Sequence, residues 1–556
     1  MKTNSQLDLY FDKSLFEKKV DKKLDNRINI IISSFLILSL LTLFKLFLLG
    51  FDYKEFEFEK NYESKKLKRR SIVDRNGNVL AYNLQTHDLI IRTKKVKDIN
   101  SLHLKLKINF PDLNLNDIKN FHSKSFHIIK KNLSPAEYNK AMSIGEPAIE
   151  LSRNETRVYT NKNLFSHILG NIDTDHQGVS GLEYSLNDEL LKSNTDPLKL
   201  SLDQNIQFLI REILINGVNT FSAIGASAIL IDADNGKIRS MVSLPDYNLN
   251  IRNETQNQNA YFNKNTKGLY ELGSVFKTFV IANAIENQIV TKDQVYEDLP
   301  SQVACGKFFI KEYKYSKDKK NLTVNDILVE SSNIGTIRII QDSGLESYQK
   351  FLNNLEIFKT PKLELPEISS SVKKRWGKCR TLNAGFGHGI NTTPIQFSRA
   401  FAAIINGGKL LDLSLLENSD NQNSKRVIST ETSNIMKQIL RTNVDQNYKR
   451  GGSGRKADID GYMVIGKTGT AQKPSKIQKG YSNEILNVFT SAFFIGEKSY
   501  VLTVFLDEPK GAPKLWGHSR REAGWNAAYL NGQIIRQIGP ILNTMKFKEY
   551  SKLNEK

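Results

Sequence analysis

Hydrophobic and polar positions follow three different patterns along this chain, and each predicts a different kind of element. The first is an unbroken apolar run, "INIIISSFLILSLLTLFKLFLL", from Ile28 to Leu49. About 22 helical residues rising ~1.5 Å each span ~33 Å, enough to cross a bilayer. Lys45, near the far end, can snorkel to the interface. The run is too long for a typical signal-peptide core and no small-x-small cleavage site follows, so it reads as an uncleaved anchor over 28–49. The second pattern has period two. "SIVDRNGNVLAYNLQTHDLIIRTK" alternates around Asn76-Gly77, a hairpin signal, and "ASAILIDADNGKIRSMVS" is two β-rich runs joined at Asp234-Asn235-Gly236. Near the C-terminus "GYMVIGKTGTAQK", "TSAFFIGE" and "SYVLTVFLDE" predict three more strands, the last two joined by a short turn. The third pattern is helical: "SPAEYNKAMSI", the amphipathic end of "GVSGLEYSLNDELL", a helix capped by Asp203, one over "VNDILVESSNIGTIRII", and a closing helix in "AGWNAAYLNGQIIRQIGPIL". Strands at both ends with helices between them predict one α+β unit over 201–545, preceded by a mixed region over 50–200. Residues 1–27 and 546–556 read as tails.

Charge places the anchor. Lys18, Lys19, Lys22, Lys23 and Arg27 precede the apolar run, so the N-terminus is expected in the cytoplasm and the remainder outside. The net charge of +20 would suit an acidic partner such as nucleic acid, an anionic membrane or an envelope polymer. The lysines are spread along the chain, however, as in any lysine-rich proteome. The one dense patch, "KKLKRR" at Lys65–Arg70, comes with no nucleic-acid motif and reads as surface or as close to lipid headgroups. Cys305 and Cys379 lie in no C-x-x-C spacing and the eight histidines form no ligand cluster, so no structural metal is indicated. Whether the two cysteines pair is left open by the sequence.

The chemistry begins at "ELGSVFKTFVIANAIE", Glu271–Glu286, an apolar helix with a lysine inside it. Ser274 follows Gly273 at an expected helix N-terminus, where unpaired N–H groups can stabilise an oxyanion. Lys277, three residues on, shares the face of Ser274, and burial among Val275, Phe276, Phe279 and Val280 would disfavour its charged form. A neutral lysine beside a serine is a base beside a nucleophile. The alternative is a packed lysine stem with a solvated head. S-x-x-K also occurs at Ser316, Ser347, Ser370 and Ser371, so the spacing alone decides nothing. Acyl transfer needs a second hydroxyl, a side-chain amide and donors for a carboxylate. "ESSNIG" supplies Ser331 and Asn333 on the expected helix. "GKTGTAQ" supplies Lys467, Thr468, Gly469 and Thr470 on an expected strand, where Gly469 would let a substrate chain lie close. The literal S-D-N at Ser419–Asn421 sits in a polar loop without an apolar frame. His388 in "GFGHG" has no carboxylate nearby in sequence and reads as a structural loop histidine.

S-x-x-K, S-x-N and K-T-G in this order resemble the penicillin-recognising serine enzymes. "IVDRNGNVLA", "SHILG…GVSGLE", "GKIRSMVSLPDYNLN" and "GFGHGINTTPIQFSRAFAAIINGG" extend the resemblance to class B penicillin-binding proteins, the monofunctional peptidoglycan D,D-transpeptidases, from about Ile72 to about 508. "SSNIG" and the length are more similar to the division-specific (septal) branch than to the elongation branch. The resemblance implies an anchor, a pedestal of the dimerisation or partner-binding type over 50–200, and a transpeptidase domain over 201–545 built on an antiparallel sheet flanked by helices. It implies Ser274 as nucleophile, Lys277 as its base, Ser331 as proton relay tuned by Lys467, Asn333 on the donor peptide amide, Thr468 and Thr470 on its terminal carboxylate, and the N–H groups of Ser274 and Thr470 as oxyanion hole. The implied substrates are nascent peptidoglycan stem peptides ending in D-Ala-D-Ala, with β-lactams as inhibitors and no metal or cofactor. The implied setting is the inner membrane, with a periplasmic catalytic domain and, as partners, a membrane glycosyltransferase and other division proteins. One departure is Leu272, where the family usually has proline; its loss would loosen the nucleophile turn slightly. Hydrolysis in place of transfer, as in a carboxypeptidase, and a non-catalytic scaffold or penicillin sensor remain the alternatives.

Overall fold

The computed structural model describes residues 22–51, 69–113, 125–192, 196–251, 257–313, 316, 320–370, 376–419, 423–475 and 480–554. Two units are distinguished, one ending at residue 67 and one beginning at residue 68. In the first, the apolar run forms the helix Lys22–Phe51, whose segment Asn29–Phe47 is long and apolar enough to cross a membrane. From Ile30 to Phe47 its leucines, isoleucines and phenylalanines point outward, as a helix without an apolar protein partner requires.

The second unit starts with a twisted sheet. Asn76-Gly77 turns the chain from Ile72–Val73 into the long strand Val79–Arg92, and the Asp74 carboxylate accepts the N–H groups of Asn76 and Asn78 to fix that turn. Val79–Arg92 pairs antiparallel with Ile149–Tyr159 and with Phe126–Lys130, while Ile72–Val73 runs parallel to Leu198–Lys199. The helix Pro135–Ser143 is closed by a capping box between Ser134 and Glu137.

The larger sheet has the strand order Val464–Pro474, Tyr481–Ile495, Lys498–Asp507, Gly225–Asp232, Ile238–Leu244, antiparallel throughout. Its two faces are covered by different helices. Ile229, Val501 and Phe505 face a core shared with the helices Lys277–Glu286 and Pro394–Ile405. Leu230, Leu502 and Val504 face Gln204–Thr220 and the helix starting at Ala527. Double coverage explains why "SYVLTVFLD" reads as a continuous apolar run without clean alternation. The first core also takes in Ile72, Leu80, Phe165 and Leu182, so it runs on without a break across residue 200.

Three expectations change here. The helix expected over "VNDILVESSNIGTIRII" is two helices, Val324–Val329 and Asn333–Ser343, because Ser331 takes a left-handed φ of 55° between them. The amphipathic end of "GVSGLEYSLNDELL" divides into Gly181–Ser185 and Asn187–Leu190. Of the basic patch, Lys65–Lys68 lie outside the described residues, and Arg69 is buried rather than superficial. Its guanidinium meets the fully buried Glu183 at 2.5 Å, and Arg157 reaches the other oxygen of that carboxylate at 2.9 Å. Asp420 and Asn421 of the literal S-D-N also lie outside the described residues, as does Lys373, the partner of Ser370.

Glu183→Ala strips two buried guanidinium groups of their shared counter-ion, and removing one partner from a buried pair costs about 3–5 kcal/mol. Denaturant titration of the detergent-solubilised protein should show a loss of that size, and a loss within the error of the wild-type value would mean that solvent reaches these arginines.

Candidate active site

The nucleophile turn is built from backbone contacts. Gly273 has φ +66°, and a Cβ there would come within 2.6 Å of the Thr470 carbonyl oxygen, so only glycine fits both the dihedral and the space. A Cβ on Gly469 would lie 2.1 Å from the Leu272 carbonyl oxygen. Gly469 therefore makes room for the nucleophile turn, on the face of the strand opposite to Thr468 and Thr470, rather than for a substrate chain. Leu272 has φ −97°, outside the narrow range proline imposes, and its side chain is fully buried in the core. The turn exchanges the rigidity of proline for an apolar anchor, worth about 1.5–3 kcal/mol of burial. A 3-10 turn, Gly273–Phe276, carries Ser274 and passes directly into the helix Lys277–Glu286.

Lys277 is fully buried, and its stem packs as the sequence predicts, but its amine is not in a dry pocket. Nζ donates to the Ser331 carbonyl, to Ser331 Oγ at 3.2 Å and to Asn333 Oδ1 at 2.8 Å. Lys467, equally buried on the strand Val464–Pro474, donates to the same Ser331 Oγ at 3.2 Å. Burial pushes the Lys467 amine down to about 7. Two lysine amines thus converge on one hydroxyl. Ser331 is held for them in a strained backbone conformation that costs about 1–3 kcal/mol, of the kind that collects at functional sites.

A group that the sequence reading missed holds the S-x-N segment. Glu312 accepts Ser332 Oγ at 2.6 Å, the Asn333 N–H at 3.0 Å and the Ile334 N–H at 3.1 Å. A carboxylate here satisfies open donors and complements the positive end of Asn333–Ser343. Nothing in its lysine-rich surroundings marks Glu312, because the contact spans about twenty residues of sequence. Glu312 follows the hairpin of Gln302–Cys305 and Phe308–Lys311, and Cys305 is joined to Cys379 by a disulfide with a Cα separation of 5.6 Å. The bond ties that hairpin to the helix Lys378–Ala384.

Ser274, Ser331, Asn333, Thr468 and Thr470 line one cleft of about 1580 Å³. Thr468 Oγ1 shares a hydrogen bond of 2.5 Å with Ser453 Oγ, and the Ala523 N–H donates to Thr470 Oγ1 at 3.2 Å. Ser453 was also missed; its "GGSG" setting signals a loop and no chemistry. His388, with no carboxylate nearby in sequence, has one nearby in space. Glu271 lies 3.3 Å from its Nδ1 and also accepts Tyr481 Oη, so the "GFGHG" loop is fastened to the residue that begins the nucleophile segment. Among the other S-x-x-K serines, Ser347 is engaged with Asn283 away from this cleft.

Comparison with known proteins agrees with this geometry. Residues 226–527 match the model of the penicillin binding protein transpeptidase domain, and residues 64–196 match the penicillin-binding protein dimerisation domain. The probable peptidoglycan D,D-transpeptidase FtsI of Caulobacter vibrioides is 29% identical over 494 residues, 86% of this chain and 82% of that protein. The peptidoglycan D,D-transpeptidase FtsI of Escherichia coli K12 is 27% identical over 525 residues, 86% of this chain and 84% of that protein. The crystal structure of penicillin binding protein 3 from Mycobacterium tuberculosis is 22% identical and superimposes with a TM-score of 0.66, covering 85% of this chain and 96% of that one. The same protein complexed with aztreonam gives 0.67 at 21% identity, with the same coverage. The transpeptidase match alone takes in more than half of the 556 residues, and the chain belongs to the penicillin-binding protein transpeptidase family, in its class B branch.

Proposed function

We propose that this chain is a serine peptidoglycan D,D-transpeptidase that cross-links stem peptides during septal wall synthesis. The observation that carries this reading is the convergence of Lys277 and Lys467 on Ser331 Oγ in the cleft that also holds Ser274. Ser274 Oγ attacks the carbonyl carbon of the penultimate D-Ala, and the bond to the terminal D-Ala nitrogen breaks. Lys277 takes the serine proton, and Ser331 passes a proton to the leaving amine. Lys467 sets the electrostatics around Ser331. Asn333 holds the donor amide, while the Thr468 and Thr470 hydroxyls hold its carboxylate. The Ser274 and Thr470 N–H groups serve as the oxyanion hole, a reading supported by the close approach of Gly273 to Thr470. An acceptor amine then attacks the ester, forms the new amide and returns the hydroxyl to Ser274. β-Lactams acylate the same serine.

The septal assignment rests on the FtsI names of the relatives. The division into a pedestal over 50–200 and a catalytic domain over 201–545 is supported by the two family matches. The segment Asn29–Phe47 spans the cytoplasmic membrane with the basic N-terminus inside and the catalytic domain in the periplasm. There the anchor and pedestal meet a membrane glycosyltransferase and other division proteins.

A fluorescent penicillin should label the protein covalently, and Ser274→Ala should abolish the label; labelling that survives or moves to Ser347 or Ser370 overturns the assignment. Glu312→Ala should slow acylation by about 10- to 100-fold through misplacement of Ser331 and Asn333, with partial rescue by Glu312→Gln and little change in melting temperature. Stopped-flow acylation at the wild-type rate in Glu312→Ala would remove Glu312 from this role. Lys467 gives a pH signature. Unfolded, the amine keeps its proton up to about 10.4; folded, it releases it near 7. The burial cost is therefore full below about pH 7 and fades as pH rises toward 10. Lys467→Met should be more stable than wild type at pH 6 by on the order of a few kcal/mol, converge with it near pH 10, and acylate slowly. A variant less stable at pH 6 contradicts the assigned cost.

A further inference from the structure

The cleft does not end at the two threonines. Beyond them it opens into an arm lined by Arg455, Lys456, Arg520 and Arg536, none of which has a carboxylate partner among the described residues. Three acidic side chains line the cleft, and each is engaged elsewhere, Glu330 with Arg450 at 3.8 Å. Asp458 is paired with Arg441 at 2.6 Å, and Glu522 accepts Tyr313 Oη at 3.1 Å. Two of the four cations are held against aromatic faces. Lys456 Nζ lies 3.7 Å from the ring centre of Trp516 and 4.5 Å from that of Trp525, and the Arg520 guanidinium lies 5.6 Å from Trp525. Burial and the neighbouring Arg455 lower the Lys456 amine from its ordinary value. Positive charge gathered partly on indole faces, outnumbering the carboxylates that line the same arm, is an anion seat built in advance of its ligand.

The arm is joined to the reacting centre through the backbone. The Gly451–Lys456 segment reaches Thr468 through Ser453, and the 519–525 segment reaches Thr470 through the Ala523 N–H. This is the side on which the leaving D-Ala carboxylate is held in the transpeptidase reading above, on which this inference rests. By microscopic reversibility the incoming amine attacks from the position that the leaving amine vacated, so the peptide carrying it extends past the threonines, on the side where the D-Ala carboxylate lay. The arm is the part of the cleft that continues there.

We propose that this arm seats the acceptor stem peptide, with a carboxylate of that peptide bound among Arg455, Lys456, Arg520 and Arg536. Arg520 and Arg536 are exposed, so neutralising them spares the core. The test uses the full-length protein in detergent, an ester donor peptide, and a soluble amine-bearing stem peptide free of glycan and lipid as acceptor. A second acceptor has its carboxylates converted to amides. For Arg520→Gln/Arg536→Gln the acceptor concentration at half-maximal cross-linking should rise about tenfold, the loss expected for charge-assisted hydrogen bonds, while penicillin acylation keeps its rate. The amidated acceptor should be equally weak with both proteins. An unchanged half-saturation, an amidated acceptor as good as the free acid in wild type, or a parallel fall in penicillin acylation each overturns the acceptor seat. Failure of wild type to acylate at all would instead strike the transpeptidase reading.

Discussion

The site depends on one backbone contact, the seating of the turn Leu272–Gly273 against Gly469 and Thr470. Two chain segments nearly two hundred residues apart approach there so closely that neither can carry a side chain toward the other. The contact fixes Ser274 relative to the strand that bears Lys467, Thr468 and Thr470. The helix that begins at Lys277 then carries its amine to Ser331, and the sheet carries the Lys467 amine to the same oxygen. Rotating the turn would separate the nucleophile from the threonines, while side-chain changes elsewhere would leave this frame standing.

Around that frame the protein holds several arrangements that cost stability. Lys467 is buried without a counter-ion among the described residues, Ser331 is left-handed without being glycine, and Glu183 holds two arginines in the pedestal. The first two lie at the candidate site, where a solvated lysine or a relaxed serine would not bring two amines to one hydroxyl. The third is structural: it fastens Arg69, the first described residue after the anchor region, into the pedestal. Opposing terms of this kind are affordable only because the sheet is buried on both faces by two continuous cores.

Much of this was legible in the sequence because it is local. The strands around Asn76-Gly77 and Asp234-Asn235-Gly236, the Asp203 cap and the three C-terminal strands follow from periodicity and turn residues, and they fall where expected. Ser274, Ser331, Asn333 and Thr468 of the S-x-x-K, S-x-N and K-T-G motifs line one cleft, and Lys277 and Lys467 reach Ser331 there. What escaped was set by tertiary contact. The break at Ser331 is marked locally only by Ser332, which caps the second helix through the Gly335 N–H, while Glu312, which takes the Asn333 N–H, comes from another part of the chain. The partner of His388, Glu271, lies more than a hundred residues away. Gly469 looked like room for a ligand and proved to be room for Leu272.

The strand Val464–Pro474 stands at the edge of its sheet, paired on one side only. An unpaired edge is ordinarily a hazard, because its free N–H and C=O groups recruit any extended chain, including another molecule's. In the proposed reaction the same property would admit an extended peptide through its main chain, without regard to its side chains. The edge that serves in the folded protein is therefore the one that must be shielded during synthesis. The seating of Gly273–Phe276 on it leaves open only the stretch that the cleft can guard.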